Sequence, residues 1–221
     1  MLKFQENQQS LEALADIILE WNSKINVTAV RDRDEFIRKN IMDSLTLCGE
    51  PELEDAACVL DLGTGGGFPG LPLAIVCPDK SFVLVDSVAK KLKVIDDAAE
   101  RLGLKNVRTV HGRAEDLASD PQLRESFDLV VSRAVANMST LCEYCLPFVK
   151  VGGSFAAYKT WAAEEEILAA KKAVITLGGL DIELRNNGSE ADDHLFAVVK
   201  KARMTPSRYP RKAGIPGKQP L

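Results

Sequence analysis

Residues Val59-Leu60-Asp61-Leu62-Gly63-Thr64-Gly65-Gly66-Gly67-Phe68-Pro69-Gly70 restrict what this chain can fold into more than any other segment. An apolar run ends at a carboxylate and opens into a stretch with five glycines in the eight positions from Gly63 to Gly70. Glycine reaches positive φ readily and lets a ligand lie against bare peptide N–H groups. The pattern predicts a strand over Cys58–Leu62 and a helix over Gly70–Cys77, with Pro69 near its first turn. In an open parallel sheet this first strand-to-helix turn is where an adenosine-bearing cofactor sits.

The remaining pattern supports such a sheet. Strands are expected at Ser81–Asp86, Val107–His111, Phe127–Ser132 and Ser154–Lys159, and helices at Ala89–Gly103, Asn137–Val149 and Ala162–Leu177. Strand–helix alternation means parallel strands with helices on both faces. The ending differs: Leu180–Arg185, a turn at Asn186-Asn187-Gly188-Ser189, then Leu195–Lys200 read as a hairpin that adds an antiparallel strand to the edge. Upstream, Leu11, Leu14, Ala15, Ile18 and Trp21 recur at helical spacing, as do Ile37, Ile41, Leu45 and Cys48. The expected fold is α/β, a Rossmann-like, mostly parallel seven-stranded sheet of the class I methyltransferase layout. Residues 1–55 form a helical cap within the same domain, 56–202 the core and 203–221 a basic, proline-containing tail.

With 221 residues and 46% hydrophobic side chains, one domain can bury a sufficient core without disulfides. The first residues lack a secretory pattern and no apolar run reaches membrane-span length, so a cytoplasmic protein without membrane contact is expected. No segment calls for an obligate dimer, and a monomer is expected. Of the five cysteines, Cys48, Cys58 and Cys77 read as small core residues. Cys142 and Cys145 are spaced C-x-x-C, but no second pair or nearby histidine completes a metal site, and none is expected. Lys200 to Leu221 carries seven basic residues and no acidic one, while the rest of the chain is strongly acidic. That asymmetry fits either a polyanion contact or a solubilising terminus.

Two cofactors fit the glycines. Asp61-x-Gly63-x-Gly65-x-Gly67 is typical of S-adenosylmethionine sites, whereas Gly65-x-Gly67-x-x-Gly70 matches the dinucleotide pattern. Asp86, at the end of the second strand, suits the ribose hydroxyls of either. A dehydrogenase also needs a proton donor beside its hydride acceptor. Neither histidine, His111 or His194, falls at the C-terminal end of strand 4 or 5. Those ends carry Ser132, Arg133 and Lys159, in the crevice where open α/β sheets bind substrates. Methyl transfer is therefore favoured over an NAD-dependent oxidoreductase, and a non-catalytic RNA-binding assembly factor is the third reading.

Several segments, in order along nearly the whole chain, carry a more specific resemblance. They are Trp21-Asn22…Asn26-Val27-Thr28-Ala29, Asp43-Ser44-Leu45, the glycine loop, Asp86-Ser87…Lys90-Lys91, Gly112-Arg113-Ala114-Glu115, Ser132-Arg133-Ala134-Val135-Ala136 and Tyr209-Pro210-Arg211-Lys212…Gly214-x-Pro216. Together they resemble the bacterial small-subunit ribosomal RNA guanine-N7 methyltransferases, the RsmG or GidB family. The chain departs from that pattern at Asn40, where a histidine is usual, and at Thr160, where glycine is. The resemblance implies methyl transfer from S-adenosylmethionine to N7 of a guanine in 16S (small-subunit) rRNA. It implies cofactor contacts at Gly63 and Phe68, adenine contacts from Ala114 and Glu115, and a site contact from Arg133. With the loop positions Asp61, Gly65, Gly67 and the ribose acceptor Asp86, these make up the expected cofactor set. Arg133 and Lys159 are the candidates at the reacting centre, as guanine, phosphate or cofactor-carboxylate contacts. The basic tail, with Arg31, Arg33, Arg38 and Lys39, would meet phosphates.

Overall fold

The computed structural model describes residues 2–133, 135–188 and 194–221. Seven strands form one sheet: β1 Cys58–Leu62, β2 Ser81–Asp86, β3 Val107–His111, β4 Phe127–Arg133, β5 Val149–Thr160, β6 Gly179–Asn186 and β7 His194–Lys201. Their order is β3-β2-β1-β4-β5-β7-β6. The first five run parallel, and β7 lies antiparallel between β5 and β6. The expected seven-stranded α/β sheet with a terminal hairpin is the sheet observed. Ser189 of the hairpin turn and Ala134 of the Ser-Arg-Ala segment lie outside the described residues.

Side chains alternate along the strands between two cores, as the two-residue repeat of a strand requires. Val59, Phe82, Leu84, Leu129 and Val131 face one side. There they meet the cap helix α1 (Gln8–Asn22) and the helices that follow β1 and β2, Gly70–Val76 and Ala89–Arg101. Leu60, Val83, Val85 and Val130 face the other side, against the helices Met138–Cys145, Glu164–Ala169 and Lys171–Thr176. Cys142 and Cys145 are fully buried in this second core. Burial pushes the Cys142 thiol up to about 12, as expected for an apolar core thiol.

Residues of the Trp-Asn segment tie the cap to the helix Ala89–Arg101 and shape the cap itself. Trp21 Nε1 donates to Asp97 Oδ2 at 2.8 Å. Asn22 Oδ1 accepts from the N–H groups of Val27 and Thr28 at 2.9 and 3.0 Å, which shapes the connector between the cap helices. Arg33–Phe36, a π-helical stretch Ile37–Met42 and Asp43–Leu45 then follow one another without a break.

Three elements depart most from expectation. β5 begins at Val149, not Ser154, because Gly152 and Gly153 are part of the strand. Phe127 pairs with Val149, the register slips, and Leu129 then pairs with Ser154. A Cβ on Gly153 would lie 2.6 Å from the Asp128 carbonyl oxygen, so this irregularity needs glycine. Before it, the helix expected to reach Val149 stops at Cys145, and Pro147 lies in a 3-10 turn, Leu146–Phe148. The helix expected over Ala162–Leu177 is split at buried Ala170, whose ψ is near zero.

The tail is folded onto the body. Glu143, with no exposed side-chain surface, accepts from Arg211 N, Nε and Nη2 at 2.7 to 3.2 Å. Arg124 donates to the carbonyls of Thr205 and Tyr209, and Thr140 Oγ1 to that of Pro216. Lys201 is buried against Glu125 and two carbonyls. Arg211 and Lys201 are therefore internal partners. Arg33, expected to face phosphate, pairs with Asp16 at 2.6 Å and Glu12 at 3.4 Å within the cap.

Candidate active site

The site forms at the C-terminal edge of β1, β2, β4 and β5. Asp61 is completely buried there, and its Oδ2 accepts from Thr64 Oγ1 at 2.7 Å and from Gly70 N at 2.8 Å. One carboxylate oxygen thus closes the loop onto the first turn of the following helix. Gly63 N and Thr64 N both donate to the Val85 carbonyl, drawing the loop toward β2. At Gly67, with φ +94°, a Cβ would stand 2.4 Å from Leu71 Cδ1, so the turn cannot close over a side chain.

Asp86 lies across the loop. Its Oδ2 accepts from Gly65 N at 3.0 Å and its Oδ1 from Val88 N at 2.8 Å. This places a carboxylate beside the bare peptide of the glycine turn, the arrangement that receives ribose hydroxyls. Phe68 is buried, edge-to-face with Phe36 of the cap at 5.4 Å.

Arg133, at the tip of β4, has its guanidinium 5.7 Å from the Phe68 ring centroid. It donates to Asp43 Oδ2 at 3.0 Å, Asn40 Oδ1 at 2.8 Å and the Lys39 carbonyl at 3.2 Å. The cap thus supplies this arginine's partners. Asp43 Oδ1 is also 2.9 Å from His194 Nδ1. Lys159 Nζ bonds the Ala136 carbonyl and Glu166 Oε1, each at 2.9 Å. Glu115 Oε1 accepts from Gly214 N at 3.0 Å, so the segment after β3 touches the tail. Ala114, half-buried, packs against the second core. His111, the last residue of β3, bonds the carbonyl of Ser87 just past β2.

The structure therefore brings Asp61, the glycine turn, Asp86, Phe68 and Arg133 together, with Lys159 one strand further along. It adds two residues that sequence patterns did not single out for the site. Asp43 sits in a recognised segment but reveals its purpose only through Arg133. His194 opens β7 opposite Thr160, the last residue of β5. An antiparallel strand begins where its neighbour ends, and that rule is the signal that would have found it.

Two buried side-chain polar atoms among the described residues have no hydrogen-bond partner, Asp61 Oδ1 and Asn40 Nδ2. Because Asn40 Oδ1 faces the Arg133 guanidinium, the amide orientation is settled and Nδ2 is a donor without an acceptor. Such groups cost roughly 1–3 kcal/mol each when left unmatched. An amino-acid zwitterion, ammonium for Asp61 and carboxylate for Asn40, matches both. A pyrophosphate matches only the donor and is repelled by the carboxylate oxygen. Burial raises the Asp61 carboxyl to about 6, against the opposing bonds from Thr64 and Gly70. The residues present fit S-adenosylmethionine, which carries both the ribose and the zwitterion.

Known proteins resemble this chain in sequence and in fold. A family profile described as "GidB: rRNA small subunit methyltransferase G" matches residues 7–195. A Clostridium novyi protein named ribosomal RNA small subunit methyltransferase G is 47% identical over 208 residues, covering 93% of this chain and 86% of the relative. Its namesake from Desulfitobacterium hafniense is 47% identical over 209 residues, covering 94% and 86%. Among solved structures, the S-adenosylmethionine-dependent methyltransferase SibL in its apo form superposes with a TM-score of 0.59 at 16% identity, covering 73% of this chain and 55% of that one. A methyltransferase from Aquifex aeolicus gives 0.55 at 16% identity, covering 76% and 93%. These structural likenesses establish the fold, a Rossmann-like methyltransferase sheet. Matched along most of its length by the profile and by close relatives, this chain belongs to the GidB family, the small-subunit rRNA methyltransferases G.

Proposed function

We propose that this protein transfers the methyl group of S-adenosylmethionine to N7 of a guanine in 16S rRNA, acting in the cytoplasm as a monomer on the small ribosomal subunit or its RNA. The observation that carries this reading is the pair of carboxylates bracketing the glycine turn, Asp61 with one unmatched oxygen and Asp86 on Gly65 N. They suit the amino-acid and ribose ends of one cofactor.

In this reading Asp86 accepts from the ribose hydroxyls, and Asp61 and Asn40 meet the ammonium and carboxylate. Gly63, Gly65 and Gly67 provide the close backbone floor, Phe68 backs it, and Ala114 and Glu115 border the adenine. When bound, the cofactor supplies an electrophilic methyl on a sulfonium that leaves without protonation. N7 of guanine holds a free in-plane lone pair and needs no base to remove a proton. The residues of the chain have to align the reactants and exclude water, which is where oriented enzymes gain roughly 7–11 kcal/mol.

Guanine gains positive charge as N7 is methylated, so a bare cation beside it would oppose the reaction. Arg133 meets that requirement, since Asp43 neutralises it at 3.0 Å. Lys159 is likewise matched by Glu166 at 2.9 Å. Both serve as positioning groups. The Hoogsteen edge is inaccessible in the narrow major groove of A-form RNA, so the target is an unpaired guanine.

The test is transfer of labelled methyl to small subunits from cells lacking this gene. Label in the RNA, mapping to N7-methylguanine, is expected; label in protein alone would overturn the reading.

A further inference from the structure

Three exposed large apolar side chains stand just past the ends of strands that form the site. Val88 follows β2, Val135 follows β4 and Trp161 follows β5, with 44%, 40% and 38% of their surfaces exposed. β2, β1, β4 and β5 are consecutive in the sheet. At roughly 4.8 Å between neighbours, the row spans about 14 Å.

Contacts fix the direction of this row. Val88 N bonds Asp86 Oδ1, so the β2 end is the ribose end. In the middle, Val135 Cγ2 lies 2.5 Å from where a Cβ on Gly63 would stand, so Val135 packs onto the glycine turn. The β5 end is therefore the acceptor end. Trp161 is held there on a braced turn. Lys159, two residues before it, joins the Ala136 carbonyl to Glu166 Oε1, and Glu166 Oε1 also accepts from Met138 N at 2.6 Å. The segments after β4 and β5 are thus tied together beside Trp161 in the chain. Lys159 is committed to that brace, so the attraction on offer at this end is an aromatic face and not a free charge.

We propose that Trp161 is the stacking platform for the unpaired guanine that receives the methyl group. The inference rests on the RNA-methylation reading above. A base lying face-on against the indole keeps its edge free, and the reacting N7 lies on that edge. Stacking on aromatic side chains is the general way in which proteins hold bases out of a helix.

The experiment compares wild type, Trp161→Ala and Trp161→Phe, using unmethylated small subunits as substrate and calorimetry for S-adenosylmethionine affinity. Trp161→Ala is expected to lower kcat/KM for the subunit by between about five-fold and a hundred-fold, the range for losing one base stack. Cofactor affinity should stay at the wild-type value, and Trp161→Phe should recover most of the loss. Wild-type kcat/KM in Trp161→Ala overturns the proposal. So does a loss in Trp161→Phe equal to that in Trp161→Ala, or a parallel loss of cofactor affinity, which would place the indole at the cofactor. Absence of RNA label with the wild-type protein would instead overturn the underlying reading.

Discussion

Arg133 Nη1 lies 3.0 Å from Asp43 Oδ2, joining the tip of β4 to the cap. The arginine side chain is 19% exposed and the aspartate 9%, so each charge depends on the other. Removing one partner of such a pair typically costs about 3–5 kcal/mol, because the remaining charge is left unmatched. Asp43→Ala and Arg133→Ala should each destabilise the fold by a few kcal/mol in urea titrations. The double variant should lose less than the sum of the two. Strict additivity would mean that the pair is not coupled. Loss of methyl transfer in Arg133→Ala therefore has to be read beside its stability.

Asp61 provides a prediction in pH. Its carboxyl sits near 6 in the fold, against an ordinary 3.8. Between those values the folded state holds more protons than the unfolded one, so this group makes stability fall as pH rises and then level off above about 6. Asp61→Asn retains an oxygen for Thr64 and Gly70 and does not titrate. It should unfold at equal or higher denaturant than wild type at pH 7, while binding S-adenosylmethionine at least ten-fold more weakly. Wild-type affinity should also fall as pH drops below about 6, with no such dependence in the variant. Unchanged affinity in Asp61→Asn would remove this oxygen from the site.

The tail prediction follows from Glu143. With no exposed side-chain surface, its carboxylate is matched by Arg211. Arg211→Ala should cost on the order of 3 kcal/mol in chemical denaturation. Ending the chain after Thr205 should cost more, because Thr140 and Arg124 also lose carbonyl partners. A truncated protein as stable as the full chain would mean that the tail is only draped on the surface.

Asp86 is tested by cofactor affinity. Asp86→Ala removes the acceptor that holds Gly65 N and Val88 N. S-adenosylmethionine should bind at least ten-fold more weakly in calorimetry, with Asp86→Asn in between. Equal affinity in all three proteins would place the ribose elsewhere.

Much of this molecule was legible from local pattern. The glycine loop announced itself because a turn packed this closely on Leu71 and Val135 requires residues without Cβ, and the strands because their apolar runs are bounded by turns. The start of β5 was not legible, since Gly152 and Gly153 resemble a loop until Asp128 is seen packed against them. The tail resembled a polyanion-binding arm because seven positive charges are visible in a row of residues, whereas the glutamate that matches one of them lies 68 positions away.

The sequence by itself determined the order of elements, the glycine turn and its two carboxylates, because backbone freedom and hydrophobic period act between near neighbours. Only the tertiary structure decided which charges are matched. Arg133 meets Asp43 across 90 residues, and His194 reaches the same carboxylate across 151. Whether a charge faces water, a substrate or a buried partner depends on what the fold places beside it, and that is set by packing at long range.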